Sequence, residues 1–188
     1  MKTIYIDVET GGVKDEPVIQ LAAIAVDGLC GPEIDCFEQK IQFDEAACDP
    51  EALRINHYRA VDWTDAVPPS VCASLFADWA RPHCSVEMIS KRTGKPYKVG
   101  RLAGYNALTF DLPRIKSLFG ERFFPFSYHV RDALQLAMWY FDAHDDLPKP
   151  KSLKLSEVCE FLGIPTDDAH DAFGDVRMTI QLVRRLQS

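Results

Sequence analysis

The feature that most constrains this chain is the run of three β-type segments at its start, with no helical pattern between them. Thr3–Ile6 is short, apolar and β-branched, and Val18–Val26 and Cys36–Phe43 read as two further strands. Gly11-Gly12 separates the first two, and Gly28, Gly31 and Pro32 separate the second and third, which predicts a meander of antiparallel strands. After it the pattern changes. Asp49-Pro50-Glu51 opens a short helix with Asp49 as N-cap, and Pro69–Ala80 is predicted to bury Val71, Leu75, Phe76 and Trp79. Leu102–Tyr105 reads as a short strand before a helix over Leu112–Leu118, and a further strand ends at Val130 before a helix over Ala133–Phe141. Helices over Leu153–Leu162 and from Ala169 to Leu186 close the chain, with Ala172, Phe173, Val176, Ile180 and Val183 as the last one's inner stripe. Strands first, then helices alternating with short strands, predict an α/β fold with a mixed central sheet flanked by helices, in one domain over residues 1–188.

Acidic residues gather where such a sheet would bring chain ends together. Asp7 and Glu9 follow an apolar strand two residues apart, so both point to one side. Asp111 sits where a short strand gives way to a helix, and Asp175 lies about a turn inside the last helix, with His170 near its start. Each has an ordinary reading as a solvated acid, a helix cap or, for Asn106, a turn former. Together they demand more. Four carboxylates in one pocket repel and raise one another's pKa unless cations neutralise them. All-oxygen ligands favour Mg²⁺ or Mn²⁺ over zinc. Two such ions about 4 Å apart support in-line phosphoryl displacement, and a histidine titrating near neutrality can take a proton from the attacking water.

The residues in question are Ile4-Tyr5-Ile6-Asp7-Val8-Glu9-Thr10-Gly11, Asn106 to Phe110-Asp111, and His170-Asp171-Ala172-Phe173-Gly174-Asp175. In order and spacing they resemble the three motifs of the Asp-Glu-Asp-Asp-His (DEDDh) 3′→5′ exonuclease superfamily, from about residue 2 to 187. Polymerase proofreading domains and RNase T-like enzymes belong to it. The resemblance implies an RNase H-like fold and hydrolysis of phosphodiesters at single-stranded 3′ ends of DNA or RNA, releasing nucleoside 5′-monophosphates. It assigns Asp7, Glu9, Asp111 and Asp175 as ligands of two divalent metal ions, Mg²⁺ or Mn²⁺, and His170 as general base. It also implies substrate contacts at Thr10, Gly11, Leu53, Asn56 and His57, with Asn106 beside the terminal nucleotide. A glycine that many members show near residues 53–57 is not present here. Asp132 resembles a further aspartate that supports the site without holding metal. Some relatives are dimers or work beside polymerases, which leaves a homodimer and a polymerase partner open.

Two other readings compete. Asp7-Val8-Glu9-Thr10 superficially resembles the opening of haloacid-dehalogenase-type phosphatases, but that chemistry needs a second Asp where Glu9 stands and an acidic pair after Gly174-Asp175. A catalytically silent nucleic-acid-binding module would be expected to have lost one of the five residues, and all are present.

Net charge is −7. It bears on solubility, whereas polyanion binding depends on where cations cluster. Lys91 to Arg101 holds Lys91, Arg92, Lys95, Lys98 and Arg101 without an acid, and Gly94-Lys95-Pro96 reads as a turn. Because the segment precedes the strand leading to Asn106 and Asp111, it is predicted to be a basic hairpin tip or loop near the site, with Tyr97 available for stacking. Six scattered cysteines without metal spacing predict free thiols in the cytoplasm. No apolar run reaches the length of a membrane span, and Asp7 and Glu9 interrupt the early apolar run that a signal peptide would need.

Overall fold

A computed structural model describes residues 1–144, 146–167, 169 and 171–187. Strands β1 (Lys2–Thr10), β2 (Val18–Asp27) and β3 (Glu33–Lys40) form the antiparallel meander. Strands β4 (Val86–Ile89) and β5 (Pro96–Val99) make a separate hairpin. β6 (Leu102–Gly104) and β7 (Arg131–Asp132) then add parallel to the free edge of β1, giving one sheet in the order β3-β2-β1-β6-β7. The helices are α1 (Pro50–Ile55), α2 (Pro69–Ala80), α3 (Asp111–Phe119), α4 (Ala133–Ala143), α5 (Leu155–Phe161) and α6 (Ala172–Leu186). No helix among the described residues is long and apolar enough to cross a membrane, and the six cysteines are free thiols.

The pleat of β1 sorts its side chains between two cores. Ile4, Ile6 and Val8 pack with Phe76 of α2 and Ile115 of α3. Tyr5, on the other face, packs with Ala22 and Ile24 of β2 and with Val176, Ile180 and Val183 of α6. Fully burying a side chain such as Ile180 contributes about 1.5–3 kcal/mol. Asp7 and Glu9 continue the Tyr5 parity, so they fall on the face that α6 covers. This parity brings two carboxylates of one strand to the helix that carries Asp175.

β1 runs on through both acids to Thr10, because β2 pairs with it as far as Val18. β3 is shifted toward the N-terminus relative to Cys36–Phe43. α2 has the predicted bounds, and Phe76 and Trp79 face the core as predicted, but Val71 and Leu75 do not. Cys72, Ala73, Phe76 and Ala80 are buried, whereas Val71 and Leu75 are 40% and 42% exposed. Small residues let the helix lie close to its neighbours, and the bulkier Val71 and Leu75 are turned to solvent. The last helix begins three residues later than predicted, at Ala172, where Asp171 caps it by accepting from Gly174 N.

The basic segment forms the β4–β5 hairpin, with Gly94 at φ +68 in its turn and Gly94 N bonded to Ser90 O at 2.8 Å. Its base is tied to the beginning of β1, since Lys2 N bonds to Ser85 Oγ at 3.1 Å. It is therefore anchored at the opposite end of β1 from Asp7 and Glu9, roughly 17 Å away over about five residues of strand. Proximity to Asn106 in sequence misplaced it, because β6 crosses the sheet between them. Arg101 is a structural group here, donating to Thr3 Oγ1 and to the carbonyls of Met1 and Gly28.

Candidate active site

Asp7, Glu9 and Asp175 each offer a carboxylate oxygen, and these atoms lie within 4.8 Å of one another. Asp175 reaches them from the first turn of α6, where Asp175 N bonds to Asp171 O at 2.9 Å. Gln20 ties that turn to the sheet. It stands opposite Glu9 in the β1–β2 register, and its Nε2 donates to Asp171 Oδ1 at 3.2 Å and to Glu38 Oε1 at 2.9 Å.

Asp111 stands behind this group. It is the first residue of α3, with Phe110 at the cap position, so its carboxylate is free of a capping role. Its reason for being buried lies in the sheet. β6 stops at Gly104, leaving later N–H groups on that edge of β1 without a strand partner, and Asp111 Oδ1 accepts from Val8 N at 3.0 Å. The chain reaches this position through a tight turn in which Asn106 takes φ +56, a left-handed conformation that Asn tolerates better than most residues. Asp132 holds the turn, accepting from the backbone N–H groups of Asn106, Leu108 and Leu134, each at 3.0 Å. The Asn106 side chain accepts from Thr109 Oγ1. Gly104 is required by close approach, since a Cβ there would lie 2.7 Å from Ile6 O and from Ala107 Cβ.

A second wall forms at the end of β1. Gly11 O accepts from Asp49 N at 2.7 Å, and a Cβ at Gly11 would lie 2.2 Å from Cys48 Sγ. Asn56 Nδ2 donates to Thr10 O at 2.9 Å, so α1 is fastened to this turn. Leu53 is half-buried on α1, and His57 is exposed at φ +51, where a glycine would sit without strain. The structure thus brings Thr10, Gly11 and Asn56 together and places Leu53 and His57 on the adjoining helix and its end. Lys91, Arg92, Lys95 and Lys98 are exposed on the distant hairpin. His170 lies outside the described residues.

Crowding and burial set the electrostatics. The Asp7 carboxyl is raised well above its usual range by burial, then by Asp111, Glu9, Asp175 and Asp171. Glu9 is pushed up to about 8 by burial, then by Asp175, Asp171 and Asp111. Asp111 is pushed up to about 7 by burial, against which the N–H groups of Val8 and Asp111 itself act. The folded state therefore binds these protons more tightly than the unfolded chain does. The stability they bring is complete below the ordinary carboxyl range near pH 4 and is lost as pH rises through about 7 to 8. A cation replacing the protons would remove this dependence. In chelator, the melting temperature is expected to fall between about pH 5 and pH 9, and with Mn²⁺ the fall should be much smaller. Equal slopes with and without Mn²⁺ would contradict this account.

The architecture is RNase H-like, and its likeness is to nucleases. Escherichia coli exonuclease I in complex with a dT13 oligonucleotide matches with a TM-score of 0.76 at 18% identity, over 100% of this chain and 41% of that one. The zinc-bound form of its complex with single-stranded DNA gives 0.75 at 18%, over 99% and 40%. Cell-death related nuclease 4 gives 0.74 at 15%, over 99% and 63%. The chain thus spans about two fifths of the length of exonuclease I, and at these identities the likeness is one of fold. No family model matches the sequence, and no curated protein matches it.

Three contributors to the site were missed in the sequence. Gln20 is a lone polar residue inside the apolar run of β2, a signal that was there to be found. Tyr105 and Lys154 border a cavity beside Asp175, and nothing local marks them.

Proposed function

We propose that this chain is a metal-dependent 3′→5′ exonuclease of the DEDDh superfamily, acting on single-stranded DNA or RNA and releasing nucleoside 5′-monophosphates. The observation that carries it is the approach of Asp7, Glu9 and Asp175 to within 4.8 Å on the fold of exonuclease I, with Asp111 buried behind them. The donor set fits two hard divalent cations, Mg²⁺ or Mn²⁺. It is all oxygen, and burial and mutual repulsion push its carboxyls toward the protonated form, a strain that such ions would relieve. When bound, the ions supply Lewis acidity toward the phosphodiester and its attacking water. The chain's own residues do the rest. His170 accepts the proton of the attacking water. The Thr10–Gly11 turn, braced by Asn56, and the neighbouring Leu53 and His57 orient the terminal nucleotide, with Asn106 on the other side of the carboxylates. Asp132 and Gln20 position the turn and the helix from which Asp111 and Asp175 project.

End-labelled single strands of DNA and RNA of the same sequence, incubated side by side with Mg²⁺ or Mn²⁺, test this reading. Mononucleotides bearing a 5′-phosphate should appear from the first moments, and chelator should stop the reaction. Ready cleavage of a circular single strand would identify an endonuclease, and cleavage that persists in chelator would remove the metal mechanism. Strands bound but never cut would identify a silent binding module.

Lys91, Arg92, Lys95 and Lys98 serve as a distal anchor for long strands in this proposal. Replacing all four with Glu should raise KM increasingly with strand length and flatten its dependence on salt, by about 0.7 in log–log slope for each phosphate the hairpin no longer neutralises. A KM and salt slope equal to those of the unaltered protein at every length would reduce the hairpin to a solvated surface.

A further inference from the structure

Beside the carboxylates lies a cavity of about 420 Å³ whose wall includes Tyr105, Asn106, Leu153, Lys154, Ala169 and Asp175. Its size suits part of a nucleotide. The sheet order sets its position. It opens on the β6 side of β1, whereas the Thr10–Gly11 wall and α1 adjoin the other end of the site through Pro17 and Asp49. Two features distinguish it from a surface dent.

The first is charge. Lys154 is the cation on its wall, which Asp175, a candidate metal ligand, also lines. The chain leading there, residues 148–154, contains Lys149, Lys151 and Lys154 and no acid. The second is anchoring. Tyr105 Oη donates to Leu153 O at 2.7 Å, and Lys154 O accepts from Val158 N at 3.0 Å as α5 begins. Tyr105 directly precedes Asn106, so the backbone just before Lys154 is held to the same turn that delivers Asp111, and the backbone after it is fixed by the first turn of α5. A lysine on a fixed backbone beside a carboxylate cluster supplies what that cluster lacks for a polyanion, a positive charge at a set place.

We infer that this cavity receives the nucleotide on the 5′ side of the scissile bond and that Lys154 binds its phosphate, the one next to the phosphate being cut. The assignment rests on the exonuclease reading above. A strand whose terminal nucleotide occupies the Thr10–Gly11 wall continues past the carboxylates on the Asn106 side. There Lys154 meets its next negative charge.

The test uses a labelled oligothymidylate and the full chain carrying Asp7→Asn, so that binding is measured without cleavage. Lys154→Ala in that background should weaken binding about 3- to 10-fold and lower the log–log salt slope by about 0.7, and Lys154→Arg should restore both. The same pair is then measured on a strand with an uncharged methylphosphonate at the linkage next to the terminal one. Lys154→Ala should cause little further loss there, because the charge it faces is already gone. Unchanged affinity and salt slope in Lys154→Ala on the natural strand would overturn the assignment. So would losses that simply add on the methylphosphonate strand, or a loss accompanied by a lowered melting temperature that Lys154→Arg does not rescue. If the unaltered protein neither cuts nor binds any strand, the exonuclease reading itself fails. If it cuts normally while Lys154→Ala matches it, only the assignment of Lys154 fails.

Discussion

Replacing Asp7 or Asp175 with Asn is expected to abolish turnover and, in chelator, to raise the melting temperature. Altering groups that merely support metal ligands already costs about 10- to 100-fold, so losing a ligand should lower turnover by more than about 100-fold. The gain in stability follows from the same geometry. Asp7 is raised by burial and then by three neighbouring acids of the cluster and by Asp171, so its charged form is repelled from every side. An amide of the same shape keeps the packing of β1 and removes the charge. For a chain of this size each kcal/mol of relief is worth about 2–4 °C. With Mn²⁺ the order should reverse, since the unaltered site gains binding energy that the variant lacks. Calorimetry of both proteins, with chelator and with Mn²⁺, reads the two signs directly. A variant less stable in chelator would show that Asp7 contributes structure instead of storing repulsion.

The opposition of activity and stability separates residues that hold the fold from those that spend some of its stability on a site. Asp132 belongs to the first kind, with a carboxylate that satisfies three backbone N–H groups and fixes the Asn106 turn. Asp7, Glu9 and Asp175 belong to the second. Asp111 is both, because it repels Asp7 while satisfying Val8 N.

What could be read along the chain was local. The pleat of β1 follows from Ile4-Tyr5-Ile6, and its parity puts Asp7 and Glu9 on one face whatever they pack against. Asp49-Pro50 and the glycines after α3 and α5 fix their helix ends by short-range chemistry, with Gly120 at φ +57 and Gly163 at φ +71. What depended on register was hidden. That Val8 N–H lacks a strand partner, and so calls for Asp111, is a consequence of β6 ending at Gly104. The inner face of α2 could not be chosen from Val71 and Leu75, since an apolar residue is also tolerated in water. The hairpin cations were misplaced for the converse reason: nearness in sequence to Asn106 says nothing about which end of a strand a segment joins. Lys154 was overlooked because one lysine among three in a loop acquires meaning only when Tyr105, bonded to Leu153 O, sets it on the wall of a cavity that Asp175 also lines.

Turnover should fall about 10²- to 10⁴-fold in His170→Ala, the range typical of a lost general base. His170 is outside the described residues, but its neighbour Asp171 caps α6 and is bonded to Gln20, which ties the chain beside it to the site. Glu9, as one of the proposed metal ligands, is engaged in holding metal and not in moving a proton. If His170 is the base, its replacement should lower turnover while Mn²⁺ affinity, read by calorimetry, stays within about threefold, because histidine is not among the proposed ligands. The pH profile should change as well, losing the acidic limb that protonation of the general base imposes. Both readouts are needed, since a misfolded helix start would lower turnover and metal affinity together. Turnover within about threefold of the unaltered protein, with the acidic limb intact, would place the base on another residue.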